Sequence, residues 1–159
     1  MAPTETPPVV ALTPADMAGC LALSEGAGWN QVSRDWTLFF RHGAVFGIAQ
    51  AGALVASGAV LPYPGGGFGW VSMVLVSVAS RGRGLGTRIL RRCLEALAAT
   101  GLCPVLDATP AGERIYRPLG FRTQFGLTRW RGAGGGDAPS GPRPLTAAAL
   151  APLATLLHG

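Results

Sequence analysis

The chain has 159 residues, of which 48% are hydrophobic and 13% are charged, and this composition excludes a mainly disordered protein and favours one compact domain with a sizeable core. Its formal net charge of +5 is concentrated, because residues 81–131 hold ten of the 13 basic residues, all of them arginine, against three acidic residues. Such a patch indicates an anionic partner, which leaves nucleic acid, a membrane surface or a phosphorylated small molecule.

The first half of the chain predicts two helices placed between short strands. Thr13 followed by Pro14 is typical of a helix start, because threonine caps free amides and proline suits the first helical turn. A tight hairpin is expected at residues 51–53, where a glycine separates two apolar runs. The predicted elements are strands over residues 9–12, 44–50 and 54–61 and helices over residues 13–23 and 33–42.

The second half predicts a strand, a glycine-rich turn and a long helix. Residues 70–78 alternate and are rich in valine, as in a half-buried strand, and the apolar residues of 85–99 recur at helical spacing. The other predicted elements are strands over residues 105–108 and 121–130 and a helix over residues 112–119. This order, with two strand–helix crossovers around a meander, predicts an α/β or α+β fold with a mixed sheet.

The composition changes after Arg131. Residues 132–144 are rich in glycine and proline and are interpreted as a linker. Residues 145–159 are rich in alanine and leucine. This tail is either the start of a truncated second domain or a helix that packs on a homodimer partner. Residues 1–131 are therefore the predicted folded domain.

Neither a membrane segment nor a metal site is expected. No apolar stretch reaches the roughly 20 residues that span a membrane, and the N-terminus lacks a basic segment followed by an apolar run, so we expect a cytoplasmic protein that does not act at a membrane. The three cysteines show no C-x-x-C spacing and are expected to be reduced thiols. The two histidines stand far apart without clustered carboxylates, which predicts no bound metal.

A glycine-rich turn at residues 81–86, with the sequence RGRGLG, separates a predicted strand from a predicted helix. Glycine lets the main chain approach a ligand, and the free amides of the turn, together with the helix dipole, favour a pyrophosphate. Arg81, Arg83 and Arg88 add charge for a further phosphate. A Walker loop would need a lysine, which the chain lacks, and a dinucleotide fingerprint would place its third glycine one residue later. Coenzyme A is the remaining class of ligand.

Two motifs resemble those of the GNAT acetyltransferase superfamily. The turn matches every position of the Q/R-x-x-G-x-G/A loop that follows the family's fourth strand, and residues 106–121, which end in Tyr116-x-x-x-Gly120-Phe121, resemble its second signature. The resemblance implies a mixed, mainly antiparallel sheet of about six to seven strands flanked by about four helices. It also implies acetyl-coenzyme A as the acyl-donor cosubstrate and direct transfer of its acetyl group to a primary amine.

The resemblance implies roles for residues in and beside these motifs. The Val76 amide would polarise the thioester carbonyl, and Tyr116 would protonate the departing thiolate. The cofactor-binding residues implied in this way are Val74, Leu75, Val76, Arg81, Gly82, Arg83, Gly84, Leu85, Gly86, Thr87 and Tyr116. The glutamate that many members carry on the fourth strand has no counterpart, so the general base stays open. Its candidates are Glu25, Asp35, His42 and Asp107.

The acceptor site is expected in the loop between the first two helices. Glu25, Trp29, Asn30 and Gln31 are the predicted substrate contacts, and Trp29 with Trp36 would suit an apolar or aromatic amine. This stretch resembles a bacterial, small-molecule-type subgroup of the family. The alternatives are an acetyltransferase acting on a protein N-terminus or lysine, and a non-catalytic module that binds acyl-coenzyme A. Nucleic-acid binding is not expected, because the arginines gather on one loop–helix unit without interleaved aromatic residues.

Overall fold

The computed structural model of the protein describes residues 7–128 and residue 132. The predicted linker, apart from Gly132, and the predicted tail over residues 145–159 lie outside these residues. The regular elements described below belong to one compact unit that ends at Arg122.

Within residues 7–128, five strands form one sheet and four α-helices accompany it. The sheet order is β1-β2-β3-β4-β5, in which the first four strands pair antiparallel and β5 pairs parallel to β4. The strands are β1 (Val10–Ala11), β2 (Ala44–Gln50), β3 (Ala53–Tyr63), β4 (Phe68–Val76) and β5 (Cys103–Val105). The helices are α1 (Met17–Gly26), α2 (Ser33–His42), α3 (Leu85–Ala98) and α4 (Pro110–Tyr116). The predicted fold class, a mixed and mainly antiparallel sheet with four helices, is confirmed.

The number of strands is lower than predicted. Residues 121–128, which were expected to form most of a final strand, contain no strand, and within residues 7–128 the sheet therefore ends at β5. Pro104 supplies a physical reason. The Cys103 amide donates to the Gly67 carbonyl on the β4 side, so the alternation of a strand turns Pro104 to the outer side, where proline has no N–H for a further ladder.

Local signals set the start of the first helix and the β2–β3 hairpin, as predicted. The Thr13 amide donates to the Asp16 carboxylate at 2.8 Å, and a 3-10 turn over Pro14–Asp16 leads into α1. Ala51 and Gly52 both have positive φ, +48° and +79°, which is the backbone of a type I′ turn. The two strands on either side are therefore joined with the twist that an antiparallel pair requires.

The sheet is covered on both faces. One core lies between the sheet and α3 and includes Phe46, Ile89 and Leu90. The other lies under α1 and α2 and includes Trp36 and Met73. The helix α3 approaches the strands so closely that a Cβ added at Gly58 would overlap Ile89, and one at Gly69 would overlap Leu97. This packing holds the N-terminus of α3 against the C-terminal end of β4.

Candidate active site

The strand β4, which lies between β3 and β5, carries a bulge. Met73 has a φ of +54°, and the pairing with β3 shifts register between Ser57, opposite Leu75, and Ala59, opposite Ser72. The buried Ser57 hydroxyl donates to the Met73 carbonyl at 3.0 Å. A methionine in this conformation is strained, so the serine contact stabilises a backbone that the local sequence does not favour.

The strand β4 parts from β5 just before the bulge. Their pairing ends where Trp70 faces Val105, so residues 71–76 of β4 have no β5 partner in the described part of the chain. The Ser77 amide donates to the Val55 carbonyl of β3, and the alternation of an antiparallel ladder therefore turns the main chain of Val76 toward the open edge. The Arg81 side chain confirms this direction, because its Nε donates to the Val76 carbonyl at 3.2 Å.

The turn after β4 exposes main-chain amides at the start of α3. Gly82 and Gly84 have φ values of +74° and +73°, which a glycine adopts without strain, and Gly84 precedes the first helical residue with no side-chain cap. A Cβ built at either glycine meets no heavy atom within 4 Å. The turn therefore presents free donors and open space, which fits a diphosphate group.

The other predicted residues near the turn differ in how much of each is accessible to a ligand. A Cβ at Gly86 would stand 3.4 Å from the Val76 side chain, so this glycine lets the first turn of α3 pack on the end of β4. Leu75 and Leu85 are buried, and only their main chains are available to a ligand. Thr87 is partly exposed in the first turn of α3.

Three arginines, Arg81, Arg83 and Arg88, were predicted to bind phosphate at this turn, and their side chains bond to neutral groups of the chain. Arg83 donates to the Gln50 side chain at 3.1 Å, and Arg88 donates to the Pro7 carbonyl at 2.7 Å while its Nη1 is buried without a partner among the described residues. Within that part of the chain neither these two nor Arg81 forms an ion pair with a carboxylate. Their positive charge therefore stays available to an anion.

Tyr116 lies at the end of α4 and is partly buried against the core beneath α3. The Thr109 hydroxyl caps this helix by accepting the Gly112 amide at 3.1 Å, and a Cβ at Gly112 would crowd the Tyr116 ring at 3.1 Å. The ring also packs beside Phe121, with centroids 5.9 Å apart. Burial, and then the neighbouring Cys93, raise the pKa of Tyr116 above its ordinary value, so its hydroxyl keeps its proton at neutral pH.

The four predicted substrate contacts come together around one open pocket of about 620 Å³. Trp29 is 41% exposed there, whereas Trp36 is fully buried and does not line the pocket, contrary to the expectation for that residue. The eight lining residues are Leu21, Glu25, Gly28, Trp29, Asn30, Gln31, Val32 and Ser33.

A buried serine that the sequence interpretation missed holds this pocket together. The Trp36 indole donates to the Ser24 hydroxyl at 3.1 Å, and that hydroxyl donates to the Cys20 carbonyl at 3.3 Å. The Ser24 carbonyl accepts the Trp29 amide at 2.9 Å. The end of α1, the loop and α2 are thus joined at one residue. The available signal was a serine among the apolar positions of α1.

The candidates for the general base separate by location. Asp35 accepts the Val32 amide at 2.9 Å and so caps α2. His42 and Asp107 are exposed, at the end of α2 and after β5 respectively. Among these candidates, Glu25 is the one that lines the pocket.

Among the described residues, no helix is long and apolar enough to cross a membrane. In the same residues, no group of three or more histidine, cysteine or carboxylate side chains is arranged to hold a metal ion.

Two curated plant proteins from Oryza sativa subsp. japonica resemble part of the chain. The probable glucosamine 6-phosphate N-acetyltransferase 2 is 45% identical over 58 residues, which are 36% of this chain and 35% of that protein. Glucosamine 6-phosphate N-acetyltransferase 1 is 39% identical over 88 residues, which are 50% of this chain and 53% of that protein. The chain thus spans about a third to a half of the length of these relatives.

Solved structures share the fold, and a family model matches most of the described unit. The crystal structure of a predicted acetyltransferase with acetyl-CoA from Clostridium acetobutylicum aligns with a TM-score of 0.63, at 13% identity, over 78% of this chain and 95% of that one. The model of the acetyltransferase (GNAT) family matches residues 16–121, which contain β4, the glycine turn and Tyr116. The chain therefore belongs to the acetyltransferase (GNAT) family.

Proposed function

We propose that the protein is an N-acetyltransferase that moves the acetyl group of acetyl-coenzyme A directly to a primary amine of a small molecule. The observation that carries this proposal is the position of the glycine turn. The turn opens free amides and empty space at Gly82 and Gly84, directly after a strand whose edge is open at Val76. Family membership supports the same activity.

The main chain provides most of the cofactor contacts in this proposal. The amides of residues 82–87 bind the diphosphate, and Arg81, Arg83 and Arg88 add charge around it. The open edge of β4 at Val74 and Val76 binds the pantetheine arm as a neighbouring strand would. Arg81 has to release the Val76 carbonyl first, because its Nε occupies that acceptor at 3.2 Å.

Two groups of the chain act on the reacting atoms. Acetyl-coenzyme A supplies an acyl group activated as a thioester. The Val76 amide donates a hydrogen bond to the carbonyl oxygen, where negative charge develops when the amine nitrogen attacks. Tyr116 holds a proton at its Oη for the sulfur that leaves as the carbon–sulfur bond breaks and the carbon–nitrogen bond forms. Its raised pKa keeps that proton available at neutral pH.

A small-molecule acceptor is supported by the rice relatives, which are named for a small amine, glucosamine 6-phosphate. The open pocket beside α1, lined by the four predicted substrate contacts, offers a place for it. A bacterial origin, a cytoplasmic location and a homodimer stay predictions.

Thermal denaturation with different ligands, followed by an assay of thiol release, tests the proposed function. Acetyl-coenzyme A at about 100 times its Kd should stabilise the protein by about 2.7 kcal/mol, whereas ATP and NAD should not. Thiol release should then depend on an added small amine. An equal response to ATP contradicts the cofactor assignment. Binding without turnover of any amine favours the non-catalytic module, and faster turnover of peptides than of small amines favours the protein acetyltransferase.

A further inference from the structure

Within the described part of the chain, the acceptor pocket is lined by no cationic side chain. Among its eight described lining residues the one ionisable group is the carboxylate of Glu25. None of the arginines within residues 7–128 lines this pocket. A phosphate ester is normally bound by arginine or lysine, often in bidentate geometry. The pocket therefore lacks the groups that would bind a phosphorylated amine.

A carboxylate lies at the helix terminus on the rim. Val32 and Ser33 line the pocket where α2 begins, and a free helix N-terminus would attract an anion. The Asp35 carboxylate, however, accepts the Val32 amide at 2.9 Å and places a negative charge there. Arg34, the residue after Ser33, is exposed and does not line the pocket. An incoming phosphate would meet repulsion from two carboxylates, those of Glu25 and Asp35.

Other lining groups suit a cation with an apolar body. Trp29 offers a partly exposed indole face, which attracts ammonium groups and stacks on flat apolar surfaces. The Glu25 carboxylate offers acceptors for N–H donors, whereas the Gln31 side-chain oxygen is shielded from solvent. Positive charge and N–H donors are the properties of an ammonium group.

We infer that the acceptor is an unphosphorylated primary amine with an aromatic or flat apolar body. Glu25 pairs with its ammonium form, and Trp29 packs against its body. The ammonium gives one proton to solvent before its nitrogen attacks the acyl carbon, and the nitrogen gives a second proton to solvent as the amide forms. Tyr116 protonates the departing sulfur and regains a proton from solvent. This inference rests on the proposed function and names the substrate class of the same acceptor site. It sets the chain apart from relatives named for glucosamine 6-phosphate.

Calorimetry on the full chain saturated with coenzyme A, which cannot transfer an acyl group, tests the inference with three amines. We expect 2-phenylethylamine to bind at least tenfold more tightly than glucosamine 6-phosphate, and glucosamine 6-phosphate to bind no better than glucosamine. Glu25→Gln should weaken 2-phenylethylamine binding about tenfold. Arg34→Gln, a matched change on the neighbouring surface, should leave it unchanged. Acetyl-coenzyme A affinity and melting temperature should be the same in both variants.

The outcomes separate the substrate class from the activity. The inferred substrate class is wrong if the phosphate improves glucosamine binding tenfold or more, if Glu25→Gln has no effect, or if none of the three amines binds. In each of these cases an intact response to acetyl-coenzyme A preserves the proposed function. If the chain binds neither coenzyme A nor acetyl-coenzyme A, the proposed function is wrong and the inferred class falls with it.

Discussion

At the residue scale, the two tyrosines of the chain offer a direct comparison. Tyr116 is partly buried with a raised pKa, and Tyr63 is 43% exposed at the β3–β4 turn, stacked on Phe68. Tyr116→Phe should lower kcat roughly 100-fold, because a general acid contributes about 10²–10⁴ to rate. Affinity for acetyl-coenzyme A should stay within about twofold, as measured by calorimetry, since the ring remains.

The matched variant Tyr63→Phe should leave kcat unchanged. The pH profile adds a second readout, because a raised pKa keeps Tyr116 protonated up to and beyond the ordinary tyrosine pKa near 10. Wild-type kcat should therefore show no Tyr116-dependent loss below about pH 10. Equal turnover in Tyr116→Phe and wild type would make Tyr116 a packing residue only.

Some residues of the site could be predicted from the sequence, and others could not. Arg81, Gly82 and Gly84 were predicted because a short continuous motif requires them. Ser24 and Ser57 were not, because their partners, Trp36 and Met73, lie 12 and 16 residues further along the chain. Contacts of this kind arise from tertiary packing, and the hydrophobic periodicity of the sequence does not reveal them.

At the element scale, the glycine turn makes a prediction about its own shape. Gly84→Ala places a Cβ on a residue with φ of +73°, which should lower the free energy of unfolding by roughly 1–2 kcal/mol. The added methyl group also occupies the space where the diphosphate is proposed to bind. Acetyl-coenzyme A affinity should fall at least tenfold in a calorimetric titration. The turn can relieve this strain only by leaving the conformation that binds the diphosphate.

Gly101, after α3, provides the control. Its φ is +70°, and a Cβ there also meets nothing within 4 Å. Gly101→Ala should lose a similar amount of stability and keep its affinity for acetyl-coenzyme A. If both variants bind equally well, the conformation at Gly84 does not serve cofactor binding.

Elements with local signals were predicted best. The first helix, the β2–β3 hairpin and α3 follow from caps, turn glycines and apolar spacing. The strand predicted over residues 121–130 was wrong where the structure describes it, because a strand needs a partner edge and Pro104 removes a donor from the edge of β5. The strand β5 was predicted over residues 105–108 and lies at Cys103–Val105, because three residues are too few to show a clear hydrophobic periodicity.

At the scale of the whole molecule, two buried thiols couple stability to alkaline pH. Burial raises the pKa of Cys20 from 9.0 to about 11, with Asp16 adding to it, and burial raises that of Cys93 from 9.0 to about 12, slightly offset by Arg92. Above about pH 9 the unfolded thiols lose their protons while the folded ones keep them. The unfolded state then binds fewer protons, so the free energy of unfolding falls as pH rises.

The slope should approach roughly 1.4 kcal/mol per pH unit for each thiol between about pH 9.5 and 11, measured by urea denaturation. Cys20→Ala and Cys93→Ala should each remove a large and similar share of it, whatever their absolute stability, and Tyr116, whose pKa is also raised, accounts for the remainder above about pH 10. Cys103→Ser, at an exposed thiol, should leave the slope unchanged. A wild-type slope that is flat to pH 11 would contradict this description of the two cores.

We propose that main-chain amides of residues 82–87 bind the diphosphate of a thioester cofactor and place its acyl carbon beside Val76 and Tyr116. A crystal structure of the protein with coenzyme A tests it most directly. We predict diphosphate oxygens within about 3.2 Å of several of those nitrogens, the Arg81 side chain released from Val76, and the thiol sulfur within hydrogen-bond reach of the Tyr116 hydroxyl. A diphosphate bound elsewhere, or a turn closed over by its own arginines, would contradict the account.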